Sequence, residues 1–535
     1  MAALLASLAI AGADAPAAVA PASPAEFRLV HPETQLRRVL ELFRNARARN
    51  PAMALVAWKL AGRSMTPPWS LGKAREAAIA AINPDMIDEV SHLDAARFIL
   101  EPQPETLPRW RLAVPQDDGT LGAFMDAMTF SIGAAQPPLQ DVPVNRVGLG
   151  PLILAARPVD RGLVVATTRD DLALTLFGPT PDVQGWPKVD SGVLARFDVQ
   201  ALARGLDGGS VPRRQVSHTL ATLKARSLTA VAHLADGAAR LDLRLTLSEG
   251  TPAPTCTLDL AWLDLIPSRA SAVATLAVNP TADGLASLFA LIDAAEKADP
   301  ARSGVAPART RLNILTMLAR VNLDADLWPL LRGLTVGAMD ERLNPDRPAI
   351  FALIHLDSEA SAARVLDRVV LRIAPRLLRS GRPAPFVEGS VVALGLADGQ
   401  PVEASRKGST VVIGLGRGVA ALALDSAARP SGSATAELKV AYAKHGTPAR
   451  AGWARPGRFP GLAIPPRSPL AAALEAAGPL LWIGRDEPDA LHDELTWPAL
   501  KPAIEAFLAR LPMEFPTDRG RLGRGAAAAA VETKP

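Results

Sequence analysis

One pattern constrains this chain more than any other: weak local similarities recur in the same order at an offset of roughly 240 residues. Leu29-Val30-His31-Pro32, followed by helical spacing through Leu36, Val39, Leu40 and Phe43, is echoed by Ala277-Val278-Asn279-Pro280 with Leu285, Leu288, Phe289 and Ile292. A helical stretch from Ala74 to Ile82 closes on Asn83-Pro84-Asp85, and one from Leu312 to Val321 closes on Asn322-Leu323-Asp324. Arg111 to Val114 leads into Leu121, Phe124, Met125 and Met128, as Ile350 to Ile354 leads into Ala362, Val365, Leu366 and Val369. Gly162 to Ala166 with Arg169 pairs with Thr410 to Ile413 with Arg417. Ser191-Gly192, opening a strand that runs to Val199–Leu202, pairs with Ser431-Gly432 and Val440–Ala443. Five matches in register predict two tandem copies, residues 27–205 and 271–445.

Within each copy, apolar runs of strand length, such as Leu152 to Ala155, Leu163 to Ala166 and Val391 to Leu394, alternate with helical patterns. Between the copies a hairpin is expected: Leu228 to Leu234, a turn at Asp236-Gly237, and a return strand from Arg240 to Leu247. In the return strand Leu241, Leu243, Leu245 and Leu247 alternate with Asp242, Arg244 and Thr246, the mark of an antiparallel strand buried on one face. A third strand, Cys256 to Leu263, is expected to extend this meander. The fold class that follows is α+β: two similar halves of antiparallel or mixed sheet with helices packed on one face, joined by the 206–270 meander. Residues 446–517 read as a Pro-rich loop (Pro448, Pro456, Pro460, Pro465, Pro466) and two helices, Leu470 to Ala477 and Leu500 to Leu511. Residues 518–535 read as a disordered tail.

With 49% hydrophobic residues among 535, the chain has the apolar content to form large cores, which excludes a disordered or collagen-like polymer. The 58 Lys and Arg against 54 Asp and Glu leave only +4, with the signs interspersed. The basic stretches Arg37, Arg38, Arg44, Arg47, Arg49 and Arg519, Arg521, Arg524 lack interleaved aromatics, so a nucleic-acid partner is not expected. The first ten residues form a continuous apolar run, followed by a small-residue site at Ala11-Gly12-Ala13 and a Pro/Ala stem from Pro16 to Pro24. Residues 1–26 therefore read as a signal peptide and stem. No Lys or Arg precedes the apolar run, so either the true start lies further upstream, with basic residues there if the chain is exported, or the segment is not a signal. No later segment has the length of uncharged apolar sequence that a membrane span requires.

Motifs of reaction chemistry are sparse. Gly414-Leu-Gly416-Arg-Gly418 resembles a dinucleotide fingerprint, but the third glycine would fall at Val419, where a side chain blocks close helix–strand packing. Ser70-Leu-Gly-Lys73 matches S-x-x-K without its companion elements, Lys444-His445-Gly446 being a poor imitation of K-T-G, and Ser70 reads as a helix cap. Asp117-Asp118 and Asp170-Asp171 sit where helices should begin and complement the helix dipole. His31, His92, His218, His233, His355, His445 and His492 show no metal-ligand spacing, and His492-Asp493-Glu494 lacks a second histidine. Cys256, the only cysteine, excludes an intramolecular disulfide and reads as a small buried hydrophobe. No catalytic, cofactor-binding or metal residue is named, and no cofactor is expected.

Three stretches, Asn322 to Leu334, Ala349 to Asp357 with its following helix, and Ser409 to Gly414, resemble uncharacterised exported bacterial proteins of domain-of-unknown-function families. The resemblance covers about 300 residues and implies an envelope location and a fold style, not an activity. The expected function is that of a non-catalytic extracytoplasmic, envelope-associated protein serving structure or interaction with other envelope proteins. The alternatives are a carrier for an apolar ligand such as a lipid, and a hydrolase whose site is assembled in three dimensions.

Overall fold

The computed structural model describes residues 25–35, 37–38, several strands between 97 and 166 by their backbone, and 189–510 with short gaps, the longest at 340–348 and 459–467. Among the described residues nineteen strands join in one antiparallel sheet. The first ten are β1 (Ala25–Val30), β2 (Arg97–Glu101), β3 (Arg109–Val114), β4 (Ala134–Ala135), β5 (Asn145–Leu149), β6 (Leu152–Val159), β7 (Gly162–Ala166), β8 (Gly192–Asp198), β9 (Ala225–Ala235) and β10 (Ala238–Leu247). They lie side by side in the order β4-β5-β6-β7-β3-β2-β1-β8-β9-β10. The other nine are β11 (Ala270–Ala277), β12 (Leu331–Met339), β13 (Ala349–Leu356), β14 (Val392–Ala397), β15 (Gln400–Lys407), β16 (Thr410–Leu415), β17 (Arg450–Ala454), β18 (Leu480–Glu487) and β19 (Ala490–Trp497). From β10 the sheet continues β19-β18-β17-β11-β12-β13-β16-β15-β14. With helices packed against this sheet, the fold is α+β.

The alternation read in β10 is realised. Leu245 and Leu247 are buried against Val199, Ala225, Leu291 and Leu491, while Arg240, Asp242 and Arg244 carry ion pairs on the other face. Four local expectations change. Cys256 to Leu263 is not a strand: the backbone runs extended to Asp259, whose carboxylate caps the short helix Leu260–Leu263. The stretch after Gly432 is the helix Ser433–His445, so it does not match β8 as a strand. Inside the Pro-rich 446–468 segment sits β17, and the two C-terminal helices (Pro469–Ala476 and Leu500–Arg510) flank a hairpin, β18–β19. Prolines at 448, 456 and beyond bracket β17 without entering it, which proline's missing N–H permits.

Helices cover both faces of the second half rather than one. On β13, Phe351 and Leu353 enter one core with Leu263, Val412, Ala420 and Leu438, so the helices Val419–Ala428 and Ser433–His445 cover that side. Ile354 and Leu356 point the opposite way, into a core with Ala319, Val365, Leu366, Val369 and Val411. The helices Ala308–Ala319 and Glu359–Val365 cover this second side, the latter running through a π turn, Leu366–Val370, into Leu371–Leu377. A strand apolar at every position, as in Ala349 to Ile354, needs a partner layer on each face; the one-sided alternation of β10 does not extend to the strands around β13.

Candidate functional site

The segment after the β9–β10 hairpin straps the second half. Leu258 donates its N–H to the Pro448 carbonyl at 2.8 Å, and the Leu260–Leu263 turn then sets the Trp262 indole over the face of the sheet. Below it four adjacent strands present a polar row. Thr335 on β12 donates to Thr275 on β11 at 3.1 Å, its hydroxyl oxygen lies 2.9 Å from His355 Nε2, and His355 Nδ1 lies 3.0 Å from Thr410 on β16. In the neutral imidazole one ring nitrogen donates and the other accepts, and the threonine hydroxyls can rotate to match either tautomer. The imidazole is fully buried and stacks on Trp262, centroids 4.4 Å apart and planes 6° from parallel. Burial pulls its pKa down to about 3, so it is a neutral ring with both nitrogens occupied.

Room for the indole comes from Gly333, paired with His355 across the β12–β13 ladder: a Cβ there would sit 2.3 Å from Trp262 Cζ3. Gly333→Val should expel the ring at a cost of about 1–3 kcal/mol. A urea melt of the purified variant checks this; an unchanged midpoint would refute the close packing.

Beside the stack opens a cavity of about 670 Å³ lined by Cys256, Asp259, Trp262, Asn279, Arg332, Asp357 and Ser409 among others. Arg332 and Asp357 face each other at 3.5 Å. The Ser361 hydroxyl, with Ser358 and nearby arginines, holds the Asp357 carboxyl below its ordinary range, so it is a fixed anion rather than a general acid. Burial, reinforced by Asp486, pushes the Cys256 thiol up to about 12, which removes it as a nucleophile at neutral pH. The lining suits a small molecule with donors and acceptors better than an acyl chain.

Under the strap's first residue lies a buried ion triad. Arg450 on β17, 1% exposed, reaches Asp486 at 2.5 Å, Asp493 at 3.1 Å and the Arg485 carbonyl at 2.9 Å. Trp482 Nε1 also donates to Asp493, and the Cys256 N–H donates to Asp486 at 3.4 Å. Arg450 and Asp493 meet across the intervening strand because Gly484 lies between them in register; a Cβ there would be 2.1 Å from Asp493 Oδ1. Desolvation raises the Asp486 carboxyl against the opposing pull of Arg450.

A more exposed cluster lies on the β10–β19 junction. Asp242 and Glu494 are directly opposed, which like charges disfavour. Arg240 meets Glu494 at 3.2 Å, His445 approaches Glu494 at 3.6 Å, and His233 and His492 approach Asp242 at 4.0 and 3.8 Å. Three of the seven histidines, far apart in sequence, thus converge on two carboxylates. Burial lowers the His233 and His445 pKa values despite those carboxylates. No group of three or more His, Cys, Asp or Glu with the geometry to hold a metal ion occurs among the described residues.

The glycine-rich turn does join a strand, β16, to a helix, Val419–Ala428, but the Gly418 N–H donates to the Glu403 carboxylate at 3.0 Å, filling the place a phosphate would need. His31 and His218 have surface carboxylate neighbours, Glu33 and Asp207. Ser70, Lys73, His92, Asp117, Asp118, Asp170 and Asp171 lie outside the described residues, as do the apolar N-terminus and the 518–535 tail. Arg450, Asp486 and Trp262 were not singled out by pattern. A charge inside the run Ala449-Arg450-Ala451-Gly452-Trp453 was the available signal. Comparisons with family models, with curated proteins and with solved structures find no match.

Proposed function

We propose that the chain is a tandem duplicate of one α+β unit that is exported and acts, without catalysis, as a structural or interaction protein of the cell envelope. The observation that carries the duplication is strand order. β5-β6-β7-β3-β2-β1-β8-β9-β10 and β14-β15-β16-β13-β12-β11-β17-β18-β19 have the same connectivity, strand for strand. On this reading β8 corresponds to β17, and the 225–247 hairpin belongs to the first unit as β18–β19 belongs to the second. The two units then meet edge to edge through β10 and β19, about a local twofold at the Asp242–Glu494 pair.

A non-catalytic role is supported by how the interior uses its reactive groups: His355 neutral and doubly bonded, Cys256 a protonated thiol, Asp493 tied to Arg450. No helix among the described residues is long and apolar enough to cross a membrane. Osmotic-shock fractionation of cells expressing the full chain should place it in the periplasmic or envelope fraction; recovery in the cytosol overturns the export reading.

The cavity beneath the strap favours a second reading, a carrier. Native mass spectrometry of gently released protein separates the two. The bare chain mass fits the structural role, whereas a reproducible adduct fits a carrier and, given the polar lining, would be a small polar molecule rather than a lipid.

A further inference from the structure

Helices normally turn their apolar residues inward. The helix Ala308–Ala319 does so with Thr316 and Ala319, yet its outward face carries Ile314, Met317 and Leu318, 49, 69 and 56% exposed. Three and four residues apart, these side chains form one patch. The helix packs beside Glu359–Leu377, since Ala319 and Val321 share a core with Leu366, Val369, Val370 and Ile373. That neighbour turns outward Arg364, Arg368, Arg372 and Arg376, every fourth residue and all exposed, and ends on Leu377, 56% exposed. Arg309 and Arg320 add charge on the first helix. Of the nearby carboxylates, Glu296 is taken by Arg311 at 2.6 Å, Glu359 lies 3.6 Å from Arg406 and Asp326 accepts from the Asn322 N–H, while Asp324, on the turn beside Leu366–Val370, and Asp367 are exposed, two acids against six arginines.

We infer that this two-helix face docks on an anionic lipid surface, with the arginines at the phosphate headgroups and Ile314, Met317, Leu318 and Leu377 reaching toward the acyl boundary. Charge complementarity and the apolar ridge argue for this occupant together. A nucleic acid would reward the arginines but not bare aliphatic side chains, and no aromatic side chain among the described outward residues is available to stack a base. A bilayer satisfies both sets of groups, and the face binds it peripherally, with no span required.

The test is flotation of the full chain with phosphatidylcholine vesicles containing phosphatidylglycerol, against phosphatidylcholine alone. Binding to the anionic vesicles only, weakened by salt, is the expected result. R368Q/R372Q should lower partitioning about fivefold for each arginine removed. M317E/L318E should lower it further, while V440E, on the helix covering the opposite side of the sheet, should leave it unchanged. These positions are exposed, so melting curves of the variants should match the parent. Absence of flotation, flotation indifferent to M317E/L318E, or a self-association that M317E/L318E abolishes would each overturn the proposal, the last by making a second copy the occupant.

Discussion

Asp493→Ala should destabilise the protein by about 3–5 kcal/mol, because it leaves the Arg450 guanidinium buried with one carboxylate and no solvent. Arg450→Ala should cost a similar amount by stranding two carboxylates together. A second test is the rescue. On the proposed duplication, counted along the ladders, Arg450, Gly484, Asp486 and Asp493 would correspond to Val193, Ala232, Leu234 and Leu241, where Val193 and Leu241 likewise flank Ala232 in register. The same sheet position would then be ionic in one unit and aliphatic in the other. R450V/G484A/D486L/D493L should therefore recover part of the stability lost by Asp493→Ala, since it removes the desolvation of all three charges while leaving the Trp482 and Cys256 N–H groups without their acceptors. Chemical denaturation of the three proteins decides it. A quadruple variant as unstable as Asp493→Ala would sink both the energetic account and the correspondence of the units.

Stability should fall as the solution is acidified through the histidine range. His355 is held near 3 in the folded chain and titrates near 6.5 when exposed, so below pH 6.5 the unfolded chain binds a proton that the folded chain refuses. Its contribution is complete above pH 6.5 and is lost progressively toward pH 3, at up to about 1.4 kcal/mol per pH unit. By pH 5 the loss is about 2 kcal/mol. His233 and His445, also lowered, act in the same direction, so the comparison must be differential. His355→Gln keeps polar groups facing Thr335 and Thr410 but cannot take up the proton. Urea midpoints at pH 7 and pH 5 should differ less for that variant than for the parent. Equal differences would mean that His355 is not the buried neutral ring described above.

How much was legible beforehand differs from element to element. In β10 every second residue is leucine, so its faces could be assigned from the chain alone, and burial of Leu245 and Leu247 agrees. The runs that became β7, β13 and β16 could be read as strands because each is apolar over strand length. The strand expected after Ser431-Gly432 is a helix, since a dipeptide that opens a strand can equally precede a helix, and a strand lies instead among the prolines at 450–454. Of the site, Cys256 reads in the sequence as a buried hydrophobe on a strand; it is half-buried on the strap, where burial first and Asp486 second raise its thiol pKa.

Amino-acid order alone determined the α+β class, the alternation of the central hairpin and the poverty of catalytic motifs, because these depend on periodicity and residue type within short windows. Tertiary structure alone decided which charges meet. Arg450 finds Asp493, and His355 finds Trp262, Thr335 and Thr410, through strand register and through the absent side chains of Gly484 and Gly333. Register is a property of ladders closed between residues tens to hundreds of positions apart, and a one-residue slip would carry every one of these groups to the opposite face.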